Sequence, residues 1–243
     1  MKVFHKTYLG DCLDIMKKLE PESIDLVLAD PPYNVPKTTI KFNGRTYISS
    51  DFGYWDSFNS DNDYLEFTKR WVELAVKLLK PYGNILIFSK LEEIGNIKKI
   101  YTLTGVYFKA AIIWHRTNPA PRVRKTNFRS SCEAINWGVK GYNGKEKKYT
   151  FNFKAQQEMH NFIETPLCMG KERTAHPTQK PERLIAHFVE IFSNPGDVIL
   201  DPFAGSGTTA MVAIWLGRNS ISIEKDERYY EIMKERLGLL KNV

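Results

Sequence analysis

Two short stretches carry residue types that could do chemistry. The first is Asp30-Pro31-Pro32-Tyr33, directly after the almost wholly apolar run Ile24–Ala29. The two prolines lock the backbone and remove two donors, so the carbonyls near Pro31 are left free to accept hydrogen bonds. Asp30 adds a carboxylate acceptor and Tyr33 a flat ring. Acceptors beside an aromatic face suit an exocyclic amino group on a planar base, although a proline-rich turn that merely ends a strand has the same composition. The second stretch is Phe203-Ala204-Gly205-Ser206-Gly207-Thr208-Thr209, after the apolar residues 198–200. Its glycines permit positive φ and close backbone approach, and a helix opening there offers unpaired N–H groups to a ligand. No Lys follows Gly207, which excludes a Walker loop, while Gly205-x-Gly207-x-x-Ala210 fits the dinucleotide pattern, a weak signal alone. Glu224, 23 positions after Asp201, ends the next expected strand, Ser220-Ile221-Ser222-Ile223. A carboxylate there can accept both hydroxyls of a ribose, so the pair reads as a site for an adenosine-containing cofactor; an ordinary tight turn with a surface Glu is the alternative.

These stretches need elements to hold them. Apolar runs alternate with amphipathic stretches, as in an α/β protein. Strands are expected at 24–29, 84–88, 106–114, 132–139, 197–200 and 220–223. A helix capped by Asp61 or Asp63 carries the stripe Tyr64, Phe67, Trp71, Leu74 and Leu78 and stops before Pro81. Further helices are expected from Pro181 as first residue, with Leu184, Ile185, Phe188 and Phe192 on one face, and over 208–216 and 226–240. Three segments, 34–59, 115–131 and 141–175, fit no period, and long irregular segments in a compact domain are usually functional. A doubly wound sheet puts its binding loops beyond the carboxyl ends of its strands, where both chemical stretches fall.

Composition narrows the class. A chain of 243 residues, 42% hydrophobic, can bury one sizeable core but is short for two independent domains. Residues 1–12 lack the apolar stretch of a signal peptide and no apolar run reaches about 18 residues, so a cytoplasmic protein is expected. Cys12, Cys132 and Cys168 lack metal-ligand spacing and suit free thiols; His176 has no second His or Cys at ligand spacing, so no metal is expected. The net charge is +7, and residues 115–148 account for it, with nine Lys/Arg against Glu133 and Glu146. A local basic stripe is the footprint of a polyanion binder, or simply a solvated loop.

Taken together, the Asp30–Tyr33 and Phe203–Thr209 motifs resemble the S-adenosylmethionine-dependent DNA amino-methyltransferases, in the permuted β-class order with the catalytic motif early and the glycine turn late. Gly10-Asp11-Cys12 is similar to that family's adenine-contacting segment, and His176-Pro177-Thr178-Gln179-Lys180-Pro181 to its HPTxKP motif, whose Lys is expected near a carboxylate of the cofactor. Asn118-Pro119 through Asn136-Trp137, with Glu133, resembles its basic segment and following strand.

The resemblance implies a single Rossmann-like domain over 1–243 with a mostly parallel, doubly wound sheet and inserted loops for DNA, 141–175 being the target-recognition insertion. It implies S-adenosylmethionine held by Asp11, Cys12, His176, Lys180, Asp201, Phe203, Ala204, Gly205, Ser206, Gly207, Thr208, Thr209 and Glu224. Asp30, Pro31, Pro32 and Tyr33 are then catalytic, and Arg116, Arg122, Arg124, Lys125 and Arg129 grip DNA phosphates. Carbon-5 methylation of cytosine needs a Pro-Cys nucleophile, but Asp11, Ser131 and Leu167 precede the cysteines, so the target is an amino nitrogen. Adenine N6 is expected over cytosine N4, because Asp at the first motif position is typical of adenine enzymes and Ser of cytosine ones. The base must be flipped out to reach such a pocket, with Tyr33 stacking on it. Phe52 and Trp55 are candidate clamps for DNA or base. Double-stranded DNA is the expected partner, with a homodimer and a cognate restriction endonuclease as further expectations. A non-catalytic nucleic-acid-binding module, a nicotinamide-dependent oxidoreductase and an RNA substrate are the competing readings.

Overall fold

The computed structural model describes residues 3–34, 39–42, 45–49, 58–121, 125–145 and 148–240. Phe52, Trp55, Arg122 and Arg124 lie outside the described residues. The main sheet contains β1 (His5–Leu9), β2 (Ile24–Ala29), β5 (Leu79–Ser89), β6 (Val106–Arg116), β7 (Cys132–Lys140), β8 (Phe162–Thr165), β9 (Val198–Asp201) and β10 (Asn219–Glu224). Its order is β1-β10-β9-β2-β5-β7-β6-β8, while β3 (Thr39–Phe42) and β4 (Arg45–Ser49) form a separate antiparallel pair. All neighbours from β1 to β5 pair in parallel; only β7 runs against its neighbours β5 and β6. This is the expected mostly parallel doubly wound sheet.

Helices cover both faces. Successive residues of β2 point opposite ways, so Val27 and Ala29 join one apolar cluster and Leu26 and Leu28 the other. The first cluster contains buried residues of α1 (Cys12–Met16), α2 (Asp61–Leu78) and α3 (Ile94–Leu103); the second contains those of α4 (Glu182–Phe192) and α5 (Thr208–Trp215). Helix α6 (Glu227–Leu240) packs on α5 through Met233 and Leu237. Among the described residues no helix is long and apolar enough to cross a membrane.

Several elements differ from expectation. The cap of α2 is Ser60, whose hydroxyl accepts from the Asp63 amide at 3.1 Å, leaving Asp61 and Asp63 in the first turn, where carboxylates complement the helix dipole. Pro181 is the N-cap of α4 rather than its first residue. Of the segments without a period, 34–59 contains the β3–β4 pair, and 141–175 contains β8, which extends the sheet beside β6. The register Ile113↔Phe162 to Arg116↔Thr165 carries the chain toward the end of β6 where Arg116 lies. Residues 149–153 stay at the opposite end: the Phe151 ring stacks on Trp137 at 5.0 Å, and Asn84, at the entry of the buried part of β5, donates to the Thr150 carbonyl at 2.8 Å. The part of 141–175 after Thr165 reaches the Arg116 end of the sheet, where Leu167 and Arg173 line a cleft.

Candidate active site

Sheet order brings the two motifs together. β9 lies between β10 and β2, with Leu200 opposite Val27 and Ser222 opposite Asp201. The carboxyl ends of these strands therefore deliver Asp30, Asp201 and Glu224 to one edge, at the point where successive connections diverge, the usual crevice of an open α/β sheet. There a cleft of about 1090 Å³ is lined by Asp11, Asp30, Tyr33, Glu133, Phe203 and Glu224, among others.

One half of the cleft is the glycine turn. Gly205 and Gly207 adopt φ of +52° and +79°, which L side chains rarely take. A Cβ on Gly205 would also meet the His176 ring at 2.9 Å, so His176 packs directly against the turn. The edge of its ring meets Tyr229 at 4.3 Å between centroids. Burial, with Lys180 adding to it, lowers the His176 pKa to about 4, so the ring is neutral. The Glu224 carboxylate accepts the Gly205 amide through Oε2 and the Asp226 amide through Oε1, each at 2.7 Å; burial raises its pKa against these bonds. Asp201 accepts from the Phe203 amide at 3.0 Å and is pushed up to about 7 by burial, which the Thr209 side chain and that amide oppose. Asp11 caps α1 through the Leu13 amide at 2.9 Å and pairs with Lys225 at 2.9 Å. Burial works against its charge, yet these partners outweigh it and lower its pKa. Cys12 is 6% exposed, and burial raises its thiol to about 12, so it stays protonated and packs in the core.

The other half centres on Asp30. Its Oδ2 receives Lys180 Nζ at 2.6 Å, and its Oδ1 receives the Tyr33 hydroxyl at 2.9 Å. That hydroxyl also lies 3.0 Å from Oε2 of Glu133, and Lys180 lies 3.4 Å from the same oxygen. Arg116 donates to Oε1 of Glu133 at 2.9 Å. Burial opposes the charge on Lys180, but the carboxylates of Asp30 and Glu133 outweigh it and raise its pKa, so it remains an ammonium. Burial raises Asp30, with Lys180 opposing. Each carboxylate oxygen can accept two hydrogen bonds, so Asp30 retains acceptor capacity toward the cleft it lines.

The structure thus places Lys180 on Asp30 and Glu133. Arg116 is also drawn inward: its side chain is 16% exposed and its second amino group donates to the Ser130 carbonyl at 2.7 Å, so it sits inside this cluster rather than on the outer surface. Lys125 and Arg129 are exposed on the cleft-side segment, Arg129 donating to the carbonyls of Pro119 and Ala120. Asn118 ties this segment to the one after β8: its side-chain oxygen accepts the Leu167 amide at 2.7 Å.

One residue escaped the sequence reading, and one was named there without its role. Arg236 of α6 donates to the Ser206 carbonyl at 2.7 Å and to Glu182 at 2.9 Å, clamping the glycine turn to α4; in sequence it is one charge on a charged helix. Glu133 was named only within the segment that resembles the family's basic segment and strand; it is a carboxylate near the start of β7, and its partners were not legible.

The family model for a DNA methylase of the N6/N4 type matches residues 24–235. The chain is 35% identical to the type II methyltransferase M.HinfI of Haemophilus influenzae, covering 96% of this chain and 68% of that protein. It is also 35% identical to the type II methyltransferase M2.DpnII of Streptococcus pneumoniae, covering 94% and 87%. A crystal structure of M1.HpyAVI in complex with SAM superposes with a TM-score of 0.73 at 29% identity, over 96% of this chain and 99% of that one. The matched span runs from β2 through most of α6 and includes both strand ends that carry the chemistry, and on this ground the chain belongs to the N6/N4 DNA methylases, the S-adenosylmethionine-dependent methyltransferases of DNA amino groups.

Proposed function

We propose that this methyltransferase modifies the N6 amino group of adenine within a specific double-stranded site, on a base flipped out of the helix. The observation that carries this reading is Asp30 at the end of β2, lining the same cleft as the glycine turn after β9.

The cleft fits the cofactor of the family. Gly205 lets the backbone come close, Glu224 and Asp11 supply carboxylate acceptors, and Phe203, edge-on to Trp71 at 5.2 Å, supplies an apolar wall. Phe203–Thr209, Glu224 and Asp11 would hold S-adenosylmethionine. When bound, it supplies an electrophilic methyl group on a sulfonium. The amine nitrogen is a poor nucleophile because its lone pair is delocalised into the ring. Asp30 and the Pro31 carbonyl, accepting its two hydrogens, favour a pyramidal nitrogen whose lone pair is free to attack. Tyr33 offers a flat face for the base. Positioning and a preorganised polar site, rather than strong acid–base chemistry, supply the rate. The acid at the first position of the Asp30–Tyr33 motif supports adenine over cytosine.

Lys125 and Arg129, together with Arg122 and Arg124, supply phosphate contacts. Base reading falls to the cleft-side segments 117–131 and 166–175. The likeness to two type II methyltransferases supports a role as the modification enzyme beside a cognate restriction endonuclease, in the cytoplasm, with self-association as a further part of the proposal. Sequencing genomic DNA from a host expressing the chain tests the reading: N6-methyladenine in one fixed context supports it, N4-methylcytosine replaces the target, and unmodified DNA contradicts it.

A further inference from the structure

We infer that Glu133 is a positioning residue for methyl transfer: it is the acceptor that keeps Tyr33 and Lys180 in place when the target amine engages Asp30. The inference rests on the assignment of Asp30 as the acceptor of that amine. Glu133 is 9% exposed, and its two oxygens serve three donors. Oε1 takes Arg116 at 2.9 Å; Oε2 takes the Tyr33 hydroxyl at 3.0 Å and lies 3.4 Å from Lys180. The Tyr33 hydroxyl has one proton and two acceptors at nearly equal distance, Asp30 at 2.9 Å and Glu133 at 3.0 Å. An amine hydrogen arriving at Oδ1 of Asp30 shares that oxygen with the Tyr33 proton and weakens its bond, and a small rotation of the hydroxyl passes that hydrogen bond to Glu133 without moving the ring. Lys180 has three donors and can hold both carboxylates at once.

Charge requires the same residue. Asp30 and Glu133 balance Lys180 and Arg116, so the buried cluster is neutral as a set. With Gln at 133 one cation loses its partner, because an amide cannot accept on both sides, and Lys180 then competes with the substrate for Asp30. Breaking one member of a buried ionic set leaves a charge uncompensated.

The test uses the full chain, tritiated methyl donor and an oligonucleotide carrying the site. Glu133→Gln is expected to lower kcat about tenfold or more, with the dissociation constant for S-adenosylmethionine and the KM for DNA within about twofold of the parent. Glu133→Asp, which keeps the charge, is expected to retain several-fold more kcat than Glu133→Gln and serves if the latter does not fold. In a Tyr33→Phe background the loss on Glu133→Gln shrinks, since the two residues act through one hydrogen bond. An unchanged kcat, a loss that follows cofactor affinity or thermal stability, or full additivity with Tyr33→Phe overturns the inference. An active Asp30→Asn would instead remove the reading of Asp30 on which it rests.

Discussion

Lys180 and Asp30 stand 150 positions apart in the chain and 2.6 Å apart in the fold, one leading into the cap of α4 and the other at the end of β2. The pair joins the early motif to the late half of the chain. Both residues line the cleft that the glycine turn and Tyr33 also line.

In the proposed site Glu224 holds the cofactor, so its loss should be read in binding. Glu224→Ala is expected to weaken S-adenosylmethionine about tenfold or more in titration calorimetry, since the Gly205 amide and the ligand both lose a buried acceptor. Unchanged affinity would remove Glu224 from the site.

Asp201 and His176 bend the pH dependence of stability in opposite directions. Asp201 titrates near 7 in the folded chain against an ordinary 3.8, so between those values the folded state holds a proton that the unfolded chain has lost, and the group's contribution falls as pH rises. His176 titrates near 4 against an ordinary 6.5, so the unfolded chain holds the extra proton and the contribution rises with pH. Relative to the parent, Asp201→Asn is expected to gain stability from about pH 4 to about pH 7, and His176→Gln to lose it from about pH 4 to about pH 6.5. Urea midpoints across that window decide; curves parallel to the parent's would contradict both assignments.

Much of this was readable in advance because it is local. A strand, a turn and a helix start lie within about ten residues of one another at the glycine turn, the Asp30–Tyr33 motif directly follows its strand, and β2, α2, α5 and β10 emerged within a residue or two of expectation. The four-residue β8 is too short to show a period and gains its place only by pairing with β6. The Glu133 cluster depends on sheet order: β7 runs antiparallel between β5 and β6, which puts its first residues at the end where Asp30 lies. No spacing encodes a Tyr33–Glu133 bond across 100 positions. Arg116 shows the same limit, since its charge was legible and its partner Glu133 was not.

That difference separates Arg116 from Lys125. Lys125→Ala is expected to weaken binding to all sequences and to flatten the slope of log K against log salt by about one unit. Arg116→Ala should leave the slope unchanged and lower kcat, because its guanidinium serves Glu133. The reverse pattern in filter binding and turnover would return Arg116 to the phosphates.

Position along the sheet also divides the insertion. Exchanging 166–175 for a relative's segment should change the methylated sequence, whereas exchanging 149–153, packed against Trp137 and the end of α4, should change only stability. A shift in site choice from the second exchange would contradict the placement of base reading.

The central claim is that Asp30 acts on the target amine and not on the cofactor. The most direct measurement is single-turnover transfer of tritiated methyl by Asp30→Asn, with cofactor affinity measured on the same preparation. The account predicts a rate lower by about a hundredfold or more, with a dissociation constant for S-adenosylmethionine within about twofold of the parent. Transfer within about tenfold of the parent, or a loss explained by cofactor affinity alone, would contradict it.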